Sequence, residues 1–190
     1  MDTTEIEVFA GLETTVNDPL LVRRGAHLGG AVRPLPWAGV VATVGAYPSL
    51  GTTDWTPLTR VLVEQNQIVP DLSRLVSQGA VFAELTPIRT RSEPVSAALH
   101  LGLGAGYAYT VDDLEMVQLE GSPIAERHER ELHPTVAWSV SADALRGPVG
   151  LRLRYSETRY TENVAGDEQR RWPIWLGVDV VVSLEGLTSP

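Results

Sequence analysis

Hydrophobic residues recur in this chain at every second position, and the positions between them are small or polar. The pattern is sharpest from Ser96 to Thr110. Ala97, Leu99, Leu101, Leu103, Ala105, Tyr107 and Tyr109 fall on one side, and Ser96, Ala98, His100, Gly102, Gly104, Gly106 and Ala108 on the other. A period of two marks an extended strand, whose side chains alternate between two faces. A half-buried soluble strand turns a polar, solvated face to water. Here the second face carries glycine, alanine and one histidine, as a narrow interior requires, while the apolar face ends in two tyrosines. Lipid outside, a tight lumen inside and aromatic rings at the boundary are what a membrane-spanning β-strand needs.

The same alternation predicts eight strands, over residues 5–14, 25–33, 39–47, 76–86, 95–110, 133–142, 149–160 and 172–184. In the seventh, Val149, Leu151, Leu153 and Tyr155 oppose Gly150, Arg152, Arg154 and Ser156; in the eighth, Leu176, Val178 and Val180 oppose Trp175, Gly177 and Asp179. No charge falls on the apolar faces so drawn, where an arginine at the bilayer midplane would cost about 2–4 kcal/mol. Connections alternate in length. Pro34–Trp37, Pro87–Pro94 and Asp143–Pro148 are short turns, whereas 48–74 and 111–131 are long, the second rich in Asp and Glu. Arg60–Val63 and Ile68-Val69 within the first are expected to pair as a small hairpin. The fold expected is all-β: a single-domain, eight-stranded, antiparallel, up-and-down transmembrane β-barrel with short periplasmic turns and long outer loops. Lipid offers no hydrogen-bond partners, so the last strand must zip to the first. A barrel of eight strands is just wide enough for its own side chains to fill.

Composition changes this picture little. The 190-residue chain has a formal charge of −9, 15 basic residues that are all arginine, and no cysteine. The acidic balance argues against a nucleic-acid partner, and the absence of cysteine removes disulfides and thiolate–metal sites. The uncharged runs Pro34–Thr53 and Pro94–Val111 approach the roughly 20 residues of a spanning helix, but their Gly and Pro content opposes one. No secretory signal stands at Met1-Asp2-Thr3, so the numbering is read as that of a mature chain exported to the bacterial outer membrane.

From Ile6 to Leu184 the chain resembles the small eight-stranded outer-membrane barrels, the outer-membrane protein A and X type. Its Gly-rich strands and Pro-containing turns are also similar to barrel proteins of myxobacteria and related high-GC bacteria. Trp175-Leu-Gly-Val-Asp-Val-Val-Val-Ser-Leu184 is similar to the signal by which the assembly machinery recognises a last strand. It departs from that pattern in ending on Leu184, followed by six further residues, rather than on a terminal Phe or Trp.

Candidate residues follow from face and height. The inward charges Glu7, Glu84, Arg152, Arg154, Asp179, His27 and Arg33 are read as a lumen network, because unpaired ions in a low-dielectric interior cost several kcal/mol. Arg152 and Arg154 are expected to lie beside Asp179. Trp37, Tyr47, Tyr107, Tyr109, Tyr160 and Trp172 are read as an aromatic girdle. Leu99, Leu101, Leu103, Leu151, Leu153, Leu176, Val178 and Val180 are read as lipid-facing. A lipid-processing enzyme would need a nucleophile within reach of an oriented base. His100 and His27 point inward with no serine placed beside them, so no catalytic, metal or cofactor site is assigned. The expected partners are the lipid bilayer and a protein bound through the outer loops 48–74 and 111–131; the sequence sets no oligomeric state. The function expected is that of a plugged structural or interaction barrel. Alternatives are a narrow ion channel or a membrane component of a motility or secretion assembly. A soluble ligand-binding barrel, with its apolar face inside, is the main architectural rival.

Overall fold

A computed structural model of the chain describes residues 4–16, 24–49, 68–92, 94–118, 123–164 and 167–184. The strands are β1 (Glu5–Thr15), β2 (Arg24–Leu35), β3 (Ala38–Ser49), β4 (Ile68–Ser92), β5 (Val95–Gln118), β6 (Pro123–Arg146), β7 (Val149–Val164), β8 (Asp167–Arg171) and β9 (Ile174–Ser183). Sequential strands pair antiparallel from β1 to β7, and β9 lies between β7 and β1, where Ala10 meets Val180. β8 and β9 both pair with β7, and the register does not slip between Tyr160↔Arg171 and Glu157↔Ile174. They therefore form one wall strand interrupted at Trp172-Pro173, where proline has no N–H for the ladder. The result is a closed, eight-stranded antiparallel barrel. At one rim the chain turns at Pro36-Trp37, Pro94 and Gly147-Pro148, and Gly147 takes φ 65°, a conformation that suits glycine.

The apolar faces point outward. Leu101, Leu103, Leu151, Leu153, Leu176, Val178 and Val180 are 42–67% exposed, and Leu99 is half-buried on the same side. Phe9, Ala31, Val41, Phe82, Ala137, Leu145 and Val181 pack inside, with a second cluster of Tyr47, Val76 and Trp175. This orientation removes the soluble rival, since water does not solvate a continuous apolar girth. A bilayer does, provided that the wall leaves no backbone group unpaired within it. Inward glycines give the rings their space. A Cβ on Gly29 would lie 2.4 Å from the Phe9 ring, and one on Gly104 2.7 Å from the Phe82 ring.

Several boundaries differ from the sequence reading. Residues 111–118 and 123–131 form strand rather than loop: β5 and β6 stay in contact up to Met116↔Ala125 and Val117↔Pro123. Asp and Glu are poor strand formers, but a ladder already fixed in the wall carries them on into water. Asp143 is likewise a strand residue, because β6 continues to Arg146 and the turn itself needs only Gly147-Pro148. β4 continues through Pro87 to Ser92 after a register shift between Leu85 and Ile88. The polar stretch before Trp172 forms β8. Of the run Pro94–Val111, all but the turn residue Pro94 lies in β5, not in a helix. Most of 48–74, including Arg60–Val63 of the expected hairpin, lies outside the described residues.

Candidate functional site: an ionic lumen

Alternation along each strand delivers polar side chains to the axis in two layers. Nearer the turn rim, Arg33 on β2 donates from Nε and Nη2 to Glu84 Oε1 on β4, at 2.8 and 2.6 Å. Its Nη1 lies 2.8 Å from Glu7 Oε2 on β1. Arg152 on β7 reaches the same Glu7 oxygen at 2.6 Å and Asp143 Oδ2 on β6 at 2.8 Å. Glu7 thus bridges two guanidiniums from opposite parts of the wall. Arg89 joins at the rim through Glu5, at 2.6 Å. All these are charge-assisted contacts, the stronger class of hydrogen bond.

The second layer lies further from the turns. Arg154 Nη2 pairs with Asp179 Oδ2 at 2.6 Å, and His27 Nε2 lies 2.8 Å from Asp179 Oδ1. Tyr47 donates its hydroxyl to Glu13 Oε2 at 2.6 Å. Phe9 separates the layers, its ring centroid 5.1 Å from the Arg152 guanidinium and 4.8 Å from that of Arg154. Both cations therefore lie against a π face as well as beside carboxylates. The remaining void, about 40 Å³, has space for only a few waters. Gln78 Nε2 and Trp175 Nε1 line it and have no protein partner among the described residues. At the turn rim a vestibule of about 520 Å³ ends against Glu7 and Asp143.

All seven charges expected in the lumen lie inside, but the partnerships differ from those drawn. Arg152 is the register partner of Asp179, yet it bonds to Glu7 and Asp143 and leaves Asp179 to Arg154 and His27. Tyr47 and Tyr160 do not belong to a girdle. Both are inward and buried, Tyr160 stacking on His133 at 5.3 Å. Their parity on the strand outweighs the preference of tyrosine for the boundary. Trp37, Trp172 and Tyr107 are exposed on the outer surface, and Tyr109 is half-buried there.

Sequence reasoning places Glu13 among the inward charges but misses Asp143, Tyr47 and His100 as members of the network. Ser139, Ser141 and Asp143 share one parity, which signals Asp143 once the strand is carried past residue 142. His100 lies between Asp143 Oδ2, 2.8 Å from its Nε2, and Thr86 Oγ1, 3.0 Å from its Nδ1. The order hydroxyl–imidazole–carboxylate is that of a nucleophilic relay. His100 is 1% exposed, however, and Thr86 is also buried, so a substrate carbonyl has no approach. The arrangement holds the ring in place.

No protein-family model matches the chain, and no curated protein matches it in sequence. Solved structures do. A major outer membrane protein from Thermus thermophilus aligns over 95% of this chain and 99% of its own, with 12% identity and a TM-score of 0.53. The attachment invasion locus protein Ail of Yersinia pestis, in complex with the heparin analogue sucrose octasulfate, aligns over 94% of this chain and 98% of its own, at 13% identity and TM-score 0.48. Neisserial surface protein A aligns over 94% and 96%, at 11% identity and TM-score 0.47. The fold is that of the small bacterial outer-membrane β-barrels; a likeness to the myxobacterial barrels is not among these findings.

Proposed function

We propose that this chain is an integral outer-membrane protein that works as a plugged anchor, holding an acidic blade of strands outside the membrane for a partner protein. One observation carries the reading. β4, β5 and β6 stay paired far past the level of Tyr107, from Val76↔Thr110 up to Ile68↔Gln118 on one side and Val117↔Pro123 on the other. Ten residues beyond Tyr107 span about 33 Å at ~3.3 Å per residue, so the blade stands well clear of the wall. Its sequence carries Asp112, Asp113, Glu115, Glu126, Glu129 and Glu131, which suits a basic partner surface. The β3–β4 pairing is described up to Ser49↔Arg74, and among the described residues β6 has no pairing with β7 above Val136. Among the described residues both blade edges therefore offer backbone groups for strand addition. The two ionic layers serve as a plug that holds the cylinder rigid beneath the blade, and the outward aromatics Trp37, Tyr107, Tyr109 and Trp172 set its height in the bilayer.

The test is site-specific photocrosslinking from position 114 in intact cells. A discrete protein adduct is expected, lost when residues 112–129 are replaced by a two-residue turn in a variant that keeps heat-modifiable gel migration. Adducts with lipid alone would remove the partner reading.

A further inference from the structure

At the outer rim the wall has a slot. Hydrogen-bonded pairing between β6 and β7 ends at Val136↔Arg159. Beyond that point, among the described residues, β6 pairs only with β5, as in Tyr107↔Pro134, and β7 pairs with β8 through Tyr160↔Arg171. The two edges separate, and Pro134 on one lip brings no N–H to span the gap. A cavity of about 460 Å³ occupies the slot, lined by Pro134, Val136, Arg159, Tyr160, Arg170 and Trp172 among others. On its inner side the lining is Thr135 and Tyr160, and the Tyr160 ring stacks on His133.

We propose that this slot binds the phosphorylated headgroup of an outer-leaflet lipid. Two outward arginines, Arg159 and Arg170, line it in a chain whose net charge is −9, while Arg171 shares the inward parity of its register partner Tyr160. The Arg159 side chain is 68% exposed and, among the described residues, gives only its Nε to Glu157, at 2.7 Å, leaving its terminal nitrogens for a phosphate. Arg170 is exposed on β8, with Glu168 two residues away as the nearest competing carboxylate on that strand. The source of the phosphate follows from the collar. Val136, Trp172 and Leu132 are exposed apolar groups around or beside the slot, which suit acyl chains and not a soluble anion. The height agrees, because Trp172 and Arg159 stand level with Val136, two residue pairs below the exposed Tyr107, at the boundary where headgroups lie.

The experiment uses the full chain in neutral micelles and reads lipid adducts by native mass spectrometry. The probes are a bisphosphorylated glucosamine-disaccharide glycolipid, the same glycolipid dephosphorylated, and inorganic pyrophosphate. A preference of about tenfold for the phosphorylated form is expected, reduced at least about tenfold in the Arg159→Gln/Arg170→Gln variant. The Arg24→Gln/Arg146→Gln variant, which removes two exposed arginines elsewhere, should keep that preference. Equal binding of the dephosphorylated lipid, equal loss in both variants, or full displacement by equimolar pyrophosphate would each overturn the proposal. It rests on the membrane reading, which heat-modifiable migration of every variant checks separately.

Discussion

At the scale of residues, the lumen shows what alternation along a strand specifies and what it leaves open. Parity assigns Glu7, Arg33, Glu84 and Arg152 to the interior, because a period of two admits only two faces. It does not assign partners, since Arg33 meets Glu84 across 51 residues of sequence and Arg152 meets Glu7 across 145. Those contacts depend on curvature and on how far each arginine reaches along the axis, which no local pattern encodes. Side-chain chemistry also misled where it competed with parity: tyrosine favours a membrane boundary, yet Tyr47 bonds to Glu13 inside. A graded prediction follows from burial. Arg152→Ala strips a cation from both Glu7 and Asp143 and should destabilise the barrel by about 3 kcal/mol or more. Arg154→Ala, in a more accessible position, should cost less. Urea unfolding in micelles measures both, and unchanged midpoints in both variants would show that these pairs do not brace the fold.

At the scale of elements, the wall was readable wherever both faces are constrained. Lipid on one side and a crowded axis on the other force the alternation seen from Val149 to Tyr155 and from Ile174 to Val182. Where a strand leaves the membrane that constraint lapses. The acidic extensions of β5 and β6 therefore look like loop in sequence and are held as strand by the ladder beneath them. Pro173 is the converse case, a residue that breaks a strand locally while β7 keeps β8 and β9 in one register. The outward face makes its own prediction. Leu153→Arg, near the middle of the Val149–Arg159 stretch of β7 that pairs with β6, should cost about 2–4 kcal/mol, and Val149→Arg, at the turn rim, only about 0–1 kcal/mol. Folding yield into phospholipid vesicles against urea separates the two, and equal costs would place the bilayer elsewhere on the wall.

At the scale of the whole molecule, the barrel is closed laterally by β1 against β9 and filled axially by two ionic layers with a ring between them. A reconstituted chain in a planar bilayer should therefore carry no current above the bare membrane, and reproducible single-channel steps would contradict the filling. The joining of first and last strands has a consequence for biogenesis. Glu7 obtains Arg152 only when the N-terminal strand is brought near a strand about four-fifths of the way along the chain, so an incomplete sheet would carry naked ionic groups on its concave side. Misassembled intermediates are thereby made conspicuous, and the finished cylinder is the first state in which those groups are hidden from proteases and chaperones.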